Sequence, residues 1–282
     1  MEIGVYVLLT AVSFAASIAG AVCGIGGGVL IKPVLDVMGV LDVAQVSFLS
    51  GCAVLAMSAY AVFSMSAGAT ARAQRNPGRD GAAGGVKGGC LDMAVSLPLA
   101  LGAAAGGVCG RKLFSTLTAA FADQNAVGAA QAGCLFLITL GTFAYTVRKK
   151  QIVSLNVCGW PPCLFLGLLL GMISAFLGIG GGPINLAALS FFFSMDAKAA
   201  AGNSLYIILL SQLASLLSSI CSGTVPPVSV GAVVLMAGGG LAGGALGRRL
   251  CRNLNSSAVD RLFLCLMAAI MAICVCNMVR FA

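Results

Sequence analysis

Eight separate stretches of this chain stay apolar for about 18 residues or more, the length at which a helix crosses ~30 Å of hydrocarbon. They fall at 3–23, 44–65, 92–110, 124–147, 158–177, 200–221, 227–247 and 258–279. A chain of 282 residues that is 60% hydrophobic and 9% charged has far too little polar surface to enclose them in one water-soluble core. Within a bilayer the backbone must satisfy its own hydrogen bonds, so runs of this length are helices. The chain therefore reads as an all-α, multi-pass membrane protein of about eight long apolar helices, with the lipid bilayer as its surroundings.

Several function classes fall away on residue types alone. There is no histidine, so neither an HExxH motif nor a His-based zinc site can form, and no catalytic residues, metal ligands or cofactor are expected. The twelve cysteines are scattered singly along apolar runs (Cys23, Cys52, Cys109, Cys134, Cys163, Cys265), as small buried hydrophobes are. The formal charge of +8 sits in short clusters between spans, which suits cytoplasmic loops better than nucleic acid. The opening Met1-Glu2-Ile3-Gly4 lacks a basic region, so the first span is expected to stay in the protein. Self-association with a second copy stays open.

The sequence Gly24-Ile25-Gly26-Gly27-Gly28 ends the first apolar run, and the same five residues return as Gly178-Ile179-Gly180-Gly181-Gly182 behind the fifth. Each glycine costs a helix about 1 kcal/mol against alanine, so three in a row invite the chain to unwind there. Unwound backbone at membrane depth is tolerated where protein buries it or a polar cavity solvates it. Pro183 then suits the first turn of a new helix, where no N–H is needed. Each GIGGG thus reads as a break followed by a short half-helix, at 29–40 and 183–194, whose free amides and positive dipole end would suit an anion. The plainer alternative is a glycine-rich hairpin that lets two helices pack.

A shift of 154 residues places Gly24 on Gly178, Gly28 on Gly182, Asp42 on Asp196 and Ser50 on Ser204. Later, Gly106-Gly107-Val108-Cys109-Gly110-Arg111 matches Gly243-Gly244-Ala245-Leu246-Gly247-Arg248 at a shift of 137, the loop at 66–91 having a shorter counterpart near 222–227. The chain reads as two transmembrane repeats, 1–150 and 151–282. Within each, glycines recurring every four residues (Gly102, Gly106, Gly110; Gly239, Gly243, Gly247) mark a helix-packing face, expected to meet its counterpart or its nearest neighbours.

Charge then tests the breaks. If all eight spans simply cross, the sixteen Lys and Arg divide eight and eight between the two sides. If each GIGGG is instead the tip of a re-entrant hairpin, twelve share one face and four (Lys32, Arg111, Lys112, Arg280) take the other. That restores the usual cytoplasmic excess. It also leaves three crossings per half, so the repeats would be inverted, a plan shared by many secondary transporters.

The paired glycine motifs, the Ala201-Gly202-Asn203-Ser204 that opens a helix, and the duplicated GGxxGR together resemble the sulfite exporter TauE/SafE family of membrane transporters. The first half departs from it, with Ala44-Gln45-Val46-Ser47-Phe48 where the family has an Ala-x-Gly-Thr-Ser-like stretch. The resemblance implies a carrier of small anions, often sulfur-containing ones such as sulfite or organosulfonates, across the cytoplasmic membrane. A passive anion channel and a carrier of non-sulfur carboxylates are the alternatives. The residue types agree with an anionic substrate: amides of Gly26, Gly27, Gly28, Gly180, Gly181 and Gly182, and side chains of Ser50, Asn185, Asn203 and Ser204, are the candidate donors. Lys32 is the candidate intramembrane cation, with a salt bridge to Asp36 or snorkelling as its ordinary readings. Asp42 and Asp196 are expected to cap helices. Cysteine-accessibility labelling should place 72–87, 148–150 and 248–252 together in the cytoplasm and Arg111 outside; Arg79 and Lys149 on the side opposite Arg249 would end the hairpin reading.

Overall fold

The computed structural model describes residues 3–75, 92–120, 124–149, 151–152, 154–157, 159–177, 179 and 181–281. Ten helices lie among them: α1 (Ile3–Cys23), α2 (Gly28–Met38), α3 (Val43–Arg75), α4 (Met93–Ala120), α5 (Gln124–Arg148), α6 (Trp160–Leu177), α7 (Gly182–Phe193), α8 (Ala197–Cys221), α9 (Val230–Asn253) and α10 (Ser256–Phe281). Eight are long and apolar enough to cross a membrane; α2 and α7, of 11 and 12 residues, are too short. No strand occurs among the described residues.

Some boundaries differ from expectation for local reasons. The segment expected as a loop at 66–91 is helical as far as Arg75, because 66–75 is rich in alanine with arginine and glutamine, all strong helix formers. Its remainder, 76–91, lies outside the described residues. α9 starts at Val230 and not at 227, since Pro226 and Pro227 have no amide to give a helix. Asp196 is the N-cap of α8, its Oδ1 accepting from the Ala199 amide at 3.3 Å, and its Oδ2 accepts from Ser256 Oγ at 2.7 Å. The Asp42 carbonyl accepts the Val46 amide at the start of α3.

Contacts, most of them at glycine, fix the relative directions of six helices. On α4, Gly102, Gly106 and Gly110 lie against Leu164, Leu168 and Met172 of α6, so a Cβ on any of them would overlap a carbonyl oxygen. Both series rise together, and α4 and α6 are parallel. In the same way Gly239, Gly243 and Gly247 of α9 lie against Thr10, Phe14 and Ile18 of α1. The two glycine faces therefore meet α6 and α1, and not each other. Gly240 and Gly244 meet Ala53 and Met57, making α9 parallel to α3. Ser96 reaches Asn203 and Gly107 meets Ser211, making α4 parallel to α8. Gly51 meets Gln212 while Gly202 meets Met65, so α3 and α8 are antiparallel.

Thus α1, α3 and α9 point one way, and α4, α6 and α8 the other. Since α1 and α3 share a direction, the chain returns between them along α2, about 16 Å of helix at 1.5 Å per residue. It returns between α6 and α8 along α7. Outside these helices, α5 packs on α10, with Lys149 paired to Asp260 at 2.6 Å.

Because the α4–α6 interface lets backbone touch backbone, Gly106→Leu is expected to lower thermal stability steeply and to reduce monodisperse protein on size exclusion. Gly141→Leu on α5, where nothing lies within 4 Å of the new Cβ, is expected to leave both unchanged.

Candidate functional site

The two turns that join α1 to α2 and α6 to α7 are built by the same hydrogen bonds. Each long helix closes with a six-residue bond, from the Ile25 amide to the Gly20 carbonyl (3.1 Å) and from the Ile179 amide to the Ser174 carbonyl (3.3 Å). Each short helix opens with a bond to a glycine carbonyl, from the Ile31 amide to Gly27 (2.9 Å) and from the Asn185 amide to Gly181 (3.0 Å). The chain reverses through left-handed conformations at Gly24 (φ 74°), Gly26 (φ 73°) and Gly181 (φ 80°), where a side chain would be strained. Gly178 and Gly180 lie outside the described residues.

These turns touch one another. A Cβ on Gly28 would stand 2.9 Å from the Ile179 carbonyl oxygen, and one on Gly182 would overlap the Ile25 carbonyl. A Cβ on Gly26 would lie 3.6 Å from Val54 and 3.4 Å from Ile208, residues near the middle of the spans Val43–Ala67 and Ala197–Cys221. The meeting point is therefore deep within the bundle. Among the described residues, the amides of Gly26, Gly27, Gly28 and Gly182 have no backbone acceptor.

Polar side chains without partners lie on the helices that border this point. Ser17 Oγ, which a Cβ on Gly27 would approach to 3.0 Å, is buried with no hydrogen bond, as are Ser47 Oγ, Ser204 Oγ and Asn185 Oδ1. Ser204 lies on the α8 face that carries Ala201 and Ile208, which border Gly24 and Gly26. Ser47 and Ser50 share the α3 face with Val54, and Ser50 Oγ donates to the Ser47 carbonyl at 3.1 Å. The Asn185 amide, turned over, would present its NH₂ in place of its oxygen. Buried polar atoms without partners are rare in folded proteins, and here several lie on the helices that border the turns.

Two of the sequence candidates are engaged elsewhere. Asn203, fully buried, accepts from the Asp92 amide (2.9 Å) and Ser96 Oγ (2.5 Å), and its NH₂ donates to the Ala199 carbonyl at 2.9 Å. It fastens the start of α4 to α8. Lys32 is 3% exposed and donates to Gln131 Oε1 (2.5 Å) and to the Leu177 carbonyl (3.0 Å), while Gln131 Nε2 donates to the Phe176 carbonyl (2.7 Å). Lys32 and Gln131 thereby cap the C-terminal carbonyls of α6, where a cation also meets the negative end of the helix dipole. Asp36, Cys274 and Asn277 border the same small cavity.

Ser17, Ser47, Gln131 and Asn277 were not among the sequence candidates. Gln131 and Asn277 carry a usable signal, because an amide in an otherwise apolar span needs a reason to be there. Serines carry almost none, being common in membrane helices. Among the described residues no three His, Cys, Asp or Glu side chains come together as metal ligands.

Asn203→Ala would leave the Asp92 amide and the Ser96 hydroxyl without their acceptor. It is expected to lower stability by about 1–3 kcal/mol, read by thermal unfolding of the purified protein.

The model of the sulfite exporter TauE/SafE family matches residues 8–273. No curated protein and no solved structure matches the chain. With the family spanning nearly all of its length, the chain belongs to the sulfite exporter TauE/SafE family, and is a multi-pass cell-membrane transporter of small anions.

Proposed function

We propose that the protein is a secondary transporter of small sulfur-containing oxyanions, sulfite or an organosulfonate, whose site lies between the two GIGGG turns. The carrying observation is the meeting of those turns at mid-depth, where open amides lie near partnerless Ser17, Ser204 and Asn185 atoms. An oxyanion has the acceptors that such amides lack, and two helix N-termini, at Gly28 and Gly182, add favourable dipoles. In this reading Gly26, Gly27, Gly28, Gly180, Gly181 and Gly182 donate through the backbone, and Ser50, Asn185 and Ser204 through side chains. Lys32 and Asn203 hold the frame, and Lys32 adds positive potential nearby.

The same reading makes residues 1–150 and 151–282 inverted repeats. Its support is the set of helix directions: α1 and α3 oppose α6 and α8, their counterparts at the shift of 154 residues. Reciprocal packing supports it further, since α1 lies on α9 as α6 lies on α4. In this conformation the turns close on each other, so admitting an anion requires them to part. That favours alternating access over an open channel.

Gly27→Leu and Gly181→Leu are expected to abolish tracer sulfite flux in proteoliposomes while the protein still inserts and runs as a single species. Wild-type flux should saturate and show counterflow. Linear flux would favour the channel, selective flux of carboxylates the non-sulfur carrier, and unchanged kinetics in both glycine variants would remove the turns from the site.

A further inference from the structure

The duplicated GGxxGR sequence does more than pack helices. Its glycines seat α4 on α6 and α9 on α1, and the arginine that follows each face is thereby carried to the helix entering a turn. Arg111 follows Gly110, which rests on Met172, one turn or so before the second turn; Arg248 follows Gly247, which rests on Ile18 and Ala21, just before the first. Since α4 and α9 point in opposite directions, the two guanidinium groups lie toward opposite ends of the bundle.

Both are part-buried, and the Nε of each is buried without a hydrogen-bond partner. Among the described residues no carboxylate pairs with either one. The groups that act on Arg111 electrostatically are Cys52 and Lys32. Those that act on Arg248 are Cys251 and Arg252. An exposed cation follows each arginine directly, Lys112 in one case and Arg249 in the other. An Nε that gives up water without gaining an acceptor is costly, and it recurs here at both copies of one motif. The acceptor that fits the planar fork of a guanidinium is a group with two or more oxygens on one centre, such as sulfite, sulfonate, carboxylate or phosphate.

We propose that Arg111 and Arg248 are two oxyanion-binding sites, one on each side of the GIGGG turns. Resting on the transporter reading above, they receive the substrate from opposite faces of the membrane before it reaches the turns. A lipid phosphate offers the same chemistry, so lipid composition is varied in the test.

The experiment uses the full chain in phosphatidylcholine nanodiscs and in proteoliposomes of defined orientation, with sulfite as the probe. Sulfite is expected to raise the unfolding temperature of wild type, less in R111Q or R248Q, and least in the double variant. In flux, R111Q should raise half-saturation about ten-fold from the face Arg111 serves and little from the other, with R248Q the reverse. If the glutamine variants do not fold, R111K and R248K carry the test, because lysine keeps the charge but lacks the fork; the same one-sided rise is expected. Stabilisation by added phosphatidylglycerol that vanishes in the variants, without any by sulfite, would support the oxyanion sites and assign them to lipid. Equal loss of flux from both faces at unchanged half-saturation, or no dependence of either anion on the arginines, would overturn the proposal. Arginine-dependent sulfite binding in a wild type that moves no anion would leave these sites standing and remove the transport reading.

Discussion

The architecture depends on places where one backbone lies directly on another. At the α4–α6 and α1–α9 crossings, and again where Gly28 and Gly182 meet the opposing Ile179 and Ile25 carbonyls, no side chain larger than hydrogen fits. Lipid tails are as apolar as leucine, so helices in a bilayer gain little from burying apolar surface against each other. Close dispersion contact takes over that role. Glycine costs the helix propensity but brings the axes near enough for that contact to repay it.

The same constraint, applied where the chain turns and not where it runs straight, yields polar chemistry. A helix end inside a membrane exposes amides that no lipid can satisfy. Here the ends are partly closed by the six-residue bonds at Ile25 and Ile179, and Lys32 and Gln131 cover the last carbonyls of α6. Two carbonyls at the end of α6 are thus provided for, while the amides of Gly26 to Gly28 and Gly182 have no backbone acceptor among the described residues.

Much of this was legible in the chain. The spans follow from the length of apolar runs, and Pro183 and Asp196 mark helix starts through their own backbone chemistry. Glycines every four residues identified two packing faces. What they could not identify was the partner, because α4 meets α6 and α9 meets α1 across long separations that no local pattern encodes. Lys32 illustrates the same limit. Asp36, four residues on, acts on it electrostatically, but its hydrogen bonds go to Gln131 and Leu177, 99 and 145 residues away. Asn203, read from the sequence as a donor to the anion, has its hydrogen-bond partners at Asp92 and Ser96, 111 and 107 residues off and beyond the reach of spacing arguments.

Interleaving also bears on how the chain is made. α1 is synthesised long before α9, yet it rests on α9, and Ser13 donates at 2.7 Å to the carbonyl of Met236, 223 residues later. Until that helix arrives, the glycine-lined contact surface of α1 and the polar turn behind it have no lasting partner within the bilayer. Native contacts of such long range form late, after the costly closure of an intervening loop. α1 is thus held in waiting while the helices between are made, and the insertion machinery must shelter its unfinished turn until α9 arrives.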